Sequence, residues 1–387
     1  MQKKLIALAV AGLMSGAAFA QTSVTIGGKV DAGYQFGMTQ KADGVCGTSG
    51  DCGGSTTEQL TDGSASTSRI TIGAKETINN DLEAGVSLDM RFSNFHDGKG
   101  VNNSTTSTLA GIGGLTSNDK KEVYLKSKLL GELHWGVQNA GDEFYVATKP
   151  YMVEPKDTEL VKYGISGYRA SSLTDRTTKY ITPTLSIGDF QLAAMSTYSF
   201  GEARKSGASN VDGTGSGDVL AGGIQWKFGK LIDGGYDRWT RYTSNATAED
   251  GFHFQRTYFS LFPWAGLKIA GVYINNSGYA AGKPFQDKNT NLVVSYNFNA
   301  KANIGFGYSI VRDVGDERNS GHAWQFGGTY FLSKSVYLYS AVTKTDWERN
   351  QDKIGGKFDG TASGFGTSST ASKLDSRLTK IGLVKEF

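Results

Sequence analysis

From Val24 onward, apolar and polar side chains alternate along the chain with a period of two. In 24–36, Val24, Ile26, Val30, Ala32, Tyr34 and Phe36 share one face, while Thr25, Lys29, Asp31 and Gln35 share the other. Arg69 to Lys75 repeats the pattern, with Ile70, Ile72 and Ala74 set against Arg69, Thr71 and Lys75. A third run sets Leu82, Ala84, Val86, Leu88, Met90 and Phe92 opposite Glu83, Ser87, Asp89 and Arg91. Each run predicts a strand with one greasy face and one charged face. Charges on the inner face of three successive strands are costly in a dry core. Beside a water-filled lumen they are natural.

Further runs predict strands near 121–128, 131–139, 176–182, 189–199, 217–228, 231–243, 252–262, 265–275, 288–298, 302–312, 322–332, 335–346 and 376–387. With the first three they make sixteen, an even number wide enough for an aqueous channel. Two registers fit 231–243 equally well, and fourteen or eighteen strands stay open. Connections alternate in length. Asn79-Asn80-Asp81, Leu130-Gly131 and Asn299-Ala300-Lys301 read as tight turns, because Asn, Asp and Gly supply the backbone freedom. Between them lie polar stretches at 38–66, 93–119, 141–175, 200–216, 244–250, 276–287, 313–320 and 347–374. Short turns on one side and long loops on the other are the asymmetry of an outer-membrane barrel. Glycine-, serine- and threonine-rich loops at 41–66, 102–117 and 355–373 read as surface material within one domain.

Composition narrows the class. The 387 residues are 38% hydrophobic with 52 glycines, 18 tyrosines and 20 phenylalanines but only 5 prolines, and mean hydropathy is −0.33. After residue 20 no apolar run approaches the ~18 residues a spanning helix needs. A barrel needs only every second residue to be apolar, so it reconciles low hydropathy with a lipid-facing surface. Aromatic residues gather at strand ends, among them Tyr34, Phe36, Phe92, Tyr198, Phe200, Trp226, Phe228, Phe262, Trp264, Tyr296, Phe298, Tyr330 and Phe331. These fit the two interfacial girdles of such a barrel. The fold class expected is therefore all-β, a transmembrane antiparallel β-barrel.

The N-terminus carries Lys3 and Lys4, an apolar stretch from Leu5 to Met14, and Ala18-Phe19-Ala20. This is the layout of a secretory signal peptide, 1–20, cut before Gln21, which leaves 21–387 as the barrel. Cleavage removes two lysines from a formal charge of +3, leaving a nearly neutral chain that does not imply nucleic acid. Export places Cys46 and Cys52 in an oxidising compartment, where a local disulfide is favoured. Two thiols without a nearby histidine are too few ligands for a metal. His96, His134, His253 and His322 are scattered, and no G-x-S-x-G, H-E-x-x-H or P-loop pattern is present. No catalytic residue and no cofactor is expected; His134, on an inward phase, reads as a lumen residue.

Several stretches together resemble the Gram-negative trimeric porins of beta-proteobacterial type. They are 24–36, Ser68-Arg69-Ile70-Thr71-Ile72-Gly73-Ala74-Lys75-Glu76, Val123-Tyr124-Leu125, Lys179-Tyr180-Ile181-Thr182-Pro183, Tyr198-Ser199-Phe200-Gly201-Glu202, 330–339, and the end Ile381-Gly382-Leu383-Val384-Lys385-Glu386-Phe387. The resemblance implies an outer-membrane channel for passive diffusion of small hydrophilic solutes and ions. A substrate-selective channel is the alternative. It further implies a homotrimer in outer-membrane lipid and lipopolysaccharide, with Phe387 as the signal read by the barrel-assembly machinery. It also implies a constriction loop folded into the lumen after the fifth strand, here 141–175. That loop carries Asp142, Glu143, Glu154, Asp157, Glu159 and Asp175, with Lys149, Lys156, Lys162 and Arg169. In such porins acidic loop groups face basic groups on the opposite wall, for which Lys29, Arg69, Lys75, Arg91, Lys126 and Lys179 have the inward phase. The family's Pro-Glu-Phe-Gly type loop sequence is replaced by Glu143-Phe144-Tyr145 and Pro150-Tyr151. The ionic preference stays open.

Overall fold

The computed structural model describes residues 21–41, 55–61, 68–92, 120–139, 144, 173–200, 219–242, 251–280, 283–314, 319–348 and 374–387. The segment 1–20 and both cysteines fall outside these residues. The strands are β1 (Gln21–Lys41), β2 (Ser55–Thr61), β3 (Arg69–Thr77), β4 (Leu82–Arg91), β5 (Lys121–Ser127) and β6 (Gly131–Asn139). They continue with β7 (Leu173–Ile181), β8 (Leu185–Ile187), β9 (Phe190–Ser199), β10 (Val219–Phe228), β11 (Ile232–Tyr242) and β12 (Gly251–Leu261). The last are β13 (Leu267–Ala280), β14 (Lys283–Asn297), β15 (Ala302–Val314), β16 (Asn319–Ser333), β17 (Val336–Glu348) and β18 (Leu374–Glu386).

All pairings are antiparallel, and sixteen of these strands form the wall. β8 continues β7 along the same partner, β9. Pro183, which has no N–H to donate, stands in the break between them. β2 lies along 33–39 of β1, whereas β3 pairs with 21–29 of the same strand. Its polar sequence, STTEQLT, gives no alternating signal, and this strand was not expected. β1 also pairs with β18 from Lys29↔Glu386 to Lys41↔Leu374, which closes the sheet on itself and leaves no lipid-facing edge. The expected sixteen-stranded barrel is thus observed.

Two boundaries differ from expectation. β13 and β14 run on to pair at Ala280↔Lys283, so most of the expected loop 276–287 is strand. Its polar residues do not mark a loop because strands that leave the bilayer need no apolar face. Asp175, expected in the long loop, belongs to β7.

The two faces are sorted as the alternation requires. Val123, Trp135, Ile224, Phe259, Leu292, Phe306, Phe326, Leu338 and Ile381 are exposed on the outside. Asp31, Glu122, Thr197, Asp237, Asn291, Ser309, Gln325 and Lys380 are buried on the inside. This inverts the usual order of a water-soluble protein. Among the described residues no helix is long and apolar enough to cross a membrane.

Turns and seam are built by specific groups. The Asn79 carboxamide oxygen accepts from the backbone N–H of Asp81 and Leu82 at 2.8 and 2.9 Å. Asn299 does the same for Lys301 and Ala302 at 2.7 and 3.0 Å. At the β1–β18 seam the Tyr339 hydroxyl reaches over Gly382 and Gly33 to donate to Asp31 Oδ1 at 2.8 Å. A Cβ at either glycine would stand 2.3 Å from that hydroxyl, so only glycine admits the crossing. The Phe387 backbone exchanges two 3.0 Å hydrogen bonds with Gly28 at the same seam.

Candidate channel lining

Inward-facing residues of β1–β7 include many charged side chains, interspersed with glycine, threonine, serine and glutamine on the same phase. Arg69 Nη1 bonds Asp89 Oδ2 at 2.7 Å, and Lys75 Nζ meets Glu83 Oε2 at 3.3 Å. Lys126 pairs with Glu132, and Lys120 Nζ with Glu122 Oε1 at 2.7 Å. His134 lies between two carboxylates, with Nδ1 3.2 Å from Glu122 and Nε2 3.3 Å from Glu132. The Tyr124 hydroxyl donates to Glu83 Oε1 at 3.3 Å. Lys179 stands opposite His134 in the register and is buried.

Three cations share one level. Lys29 is paired with Arg69 across β1–β3, and Arg69 with Arg91 across β3–β4. Like charges directly opposite destabilise a sheet. Asp89, bonded to Arg69, offsets part of that repulsion.

The inner wall from β9 to β17 is different. Met195, Val219, Ala221, Trp239, Phe254, Tyr258, Val272 and Ile274 form a buried apolar cluster, and Phe144 is buried within it. Trp239 and Phe254 stack with centroids 5.3 Å apart. Beside them Arg256 Nε donates to Asp237 Oδ2 at 2.9 Å, with both side chains almost fully buried. Farther round come Asn289, Asn291, Ser309, Gln325 and Thr343, all neutral and buried.

The expected basic residues Lys29, Arg69, Lys75, Arg91, Lys126 and Lys179 all occupy the inward phase of their strands. Arg69, Lys75 and Lys126 have carboxylate partners on the wall itself. Of the expected loop carboxylates, Asp142, Glu143, Glu154, Asp157 and Glu159 lie outside the described residues, as do Cys46 and Cys52. Sequence reasoning did not find the Asp237–Arg256 pair, the Trp239–Phe254 stack or the Tyr339–Asp31 seam bond. Trp239 and Tyr236 sit on opposite faces of β11, which is why that strand fitted two registers. Two girdle candidates also turn inward: Phe262 follows the phase of Phe254 and Tyr258, and Phe331 packs on Tyr337.

The lining departs from ideal strand where β6 meets β7. The register shifts between Gly136 and Gln138. Gly136 has φ 139°, and Arg176 at φ 52° is the one non-glycine residue with positive φ among those described.

A family profile described as Gram-negative porin matches residues 7–350. No curated protein sequence matches the chain. Among solved structures, an anion-selective porin from Comamonas acidovorans is 16% identical, with a TM-score of 0.66 over 95% of this chain and 100% of that one. The outer-membrane-expressed OmpT of Vibrio cholerae is 13% identical, with a TM-score of 0.60 over 95% and 98%. OmpF of Salmonella typhi in complex with daunomycin is 13% identical, with a TM-score of 0.60 over 94% and 97%.

Proposed function

The chain belongs to the Gram-negative porin family, and from that premise we propose that it is a general diffusion channel with a charged eyelet, not a substrate-selective one. As a porin it resides in the bacterial outer membrane and passes small solutes by passive diffusion. One observation supports the general reading most: the closed sheet has an apolar exterior, and inside it Lys29, Arg69 and Arg91 share one charged level, with Asp89 bonded to Arg69. In this reading Asp142, Glu143, Glu154, Asp157 and Glu159 face those three cations across the lumen. Facing charges of opposite sign make a transverse field that favours polar solutes. Burial of Phe144 within the wall cluster supports the inward course of its loop.

The working form in this reading is a homotrimer of chains that begin at Gln21 after signal cleavage. One solved OmpT structure is a trimer form, and the exposed Val24, Ile26, Ile381 and Leu383 at the seam supply an apolar outer patch. Lipopolysaccharide surrounds the trimer, Phe387 addresses the chain to the assembly machinery, and Cys46 closes on Cys52. Solutes cross without a catalytic step or cofactor.

Single-channel recording in planar bilayers, with reversal potential in a salt gradient, tests the function. Large conductance in steps of three with mild ion preference is the expected result. Small steps blocked by one solute class would move the assignment to a selective channel.

A further inference from the structure

The mouth of the barrel that carries the short turns holds a cavity the diffusion path does not require. Its volume is about 490 Å³, and Lys230, Phe262, Trp264, Lys268, Ser295 and Asn297 line it. The turn between β12 and β13, with Gly266 at φ 87°, forms one side of it. Phe262, Lys268 and Ser295 share the inward phase of β12, β13 and β14. These three residues therefore meet the cavity from the lumen side. The Lys268 ammonium stands over the Phe262 ring, 5.9 Å from its centroid. Trp264 projects with 63% of its surface exposed, free of the packing that usually hides an indole of that size.

Charge at this mouth is weighted to cations. Lys227, Lys230 and Lys268 are opposed by Asp233, which faces Lys227 across β10–β11 and acts electrostatically on Lys268, and by Asp189 beside Gly229. Lysines beside two aromatic faces form a pocket that is attractive to an anion at one end and to an apolar body at the other. We propose that this cavity binds small organic anions that carry an aromatic or apolar body, of the aryl carboxylate class. Lys230 and Lys268 take the carboxylate, Trp264 and Phe262 take the ring, and Ser295 and Asn297 offer side hydrogen bonds. Such a site holds solutes at the mouth through which they leave or enter, and it enriches one anion class without closing the path to others.

The site rests on the channel reading only for its effect on transport, so two measurements separate the two. The first records single channels with benzoate added to one side at a time, with acetate and benzyl alcohol as controls for charge and ring alone. Benzoate on the short-turn side is expected to reduce current at concentrations about fivefold below those needed from the other side or with either control. The double variant Lys230→Gln/Trp264→Ser, altered only at exposed turn positions, should lose that advantage. Equal potency from both sides, or an unchanged effect in the variant, would overturn the site. If no channels form, the channel reading alone fails. The site is then judged by saturation-transfer NMR of benzoate with detergent-solubilised protein. Signals lost in the variant support it, and equal signals overturn it.

Discussion

The two halves of the barrel solve the same problem in different ways. From β1 to β7 the inner wall is a mesh of ions: Arg69 with Asp89, Lys75 with Glu83, Lys126 with Glu132, and His134 between two glutamates. From β9 to β17 it is mainly small, amide-bearing or aromatic, with Lys227, Asp233 and Lys268 near the short turns and Asp237–Arg256 as its deeply buried ion pair among the described residues. The first wall mixes partly wetted pairs such as Lys75–Glu83 with the buried contact of Glu122 and His134, and its charges shape the potential across the lumen. The second wall is largely buried, so its polar groups, most of them neutral, matter more for stability than for permeation. Position in the barrel therefore decides what a charge is for.

The strongest test of that contrast removes a charge from each wall. Arg256→Met takes the guanidinium away from Asp237 in a site that is 0% exposed, and loss of one partner from a buried pair costs about 3–5 kcal/mol. Lys75→Met breaks a pair whose lysine side chain is 56% exposed, which costs ~1 kcal/mol or less. Thermal unfolding in detergent, followed by the heat-dependent shift in gel mobility, should separate the two variants clearly. Equal losses would erase the distinction between the halves.

The seam between the halves is the next place to cut. Tyr339→Phe keeps the ring over Gly33 and Gly382 but deletes the hydroxyl that donates to Asp31. A hydrogen bond to a charged acceptor contributes about 1.5–3 kcal/mol, so the expected loss lies between those of the two wall variants. An unfolding midpoint unchanged from the parent would show that the bond adds nothing to closure.

Selectivity sharpens the comparison from the functional side. Arg69→Gln and Arg91→Gln remove cations from the shared level with Lys29. Each should move the reversal potential toward cation preference by roughly twofold in permeability ratio, a field effect of a few tenths of a kcal/mol. Thr343→Val on the neutral wall should leave it unchanged. A shift from the valine variant equal to that of the glutamine variants would mean that wall charge does not set ion preference.

Legibility in the sequence followed the same division. Alternation found all sixteen crossings because lipid demands an apolar residue at every second position regardless of what lines the lumen. The inward basic residues were readable since Lys29, Arg69 and Lys126 keep strict phase with acidic or neutral neighbours. The aromatic lumen patch was not, because Trp239, Phe254 and Tyr258 are as apolar as the lipid face and cancel the contrast that period two relies on. The Tyr339–Asp31 bond spans 308 residues, a pairing that no local pattern records. β2 escaped because a polar strand outside the bilayer has no face to declare.

The smallest effect separates two turns of one design. Asn79 and Asn299 cap their turns with the same pair of backbone bonds. Only the first turn carries a carboxylate that reaches the next turn, where Asp81 accepts from the Ser127 hydroxyl at 2.8 Å and from the Leu129 N–H at 3.1 Å. The Ser127 hydrogen bond is the main cause that holds the Asp81 carboxyl below its ordinary value of 3.8. The Leu129 and Lys128 backbone bonds and the Lys128 charge add to it against the opposing effect of desolvation. A depressed native value means that the ionised form is favoured by folding. Its contribution is complete above the ordinary aspartate range and is lost as pH falls through the lower native value. Asp81→Asn should therefore lower the unfolding temperature slightly at pH 7, with the gap narrowing as pH falls below 3.8. Asn299→Ala, at a turn whose cap does not titrate, should give a gap that stays constant across the same range. If the Asp81→Asn gap also stayed constant, the tie between turns would owe nothing to the carboxylate charge.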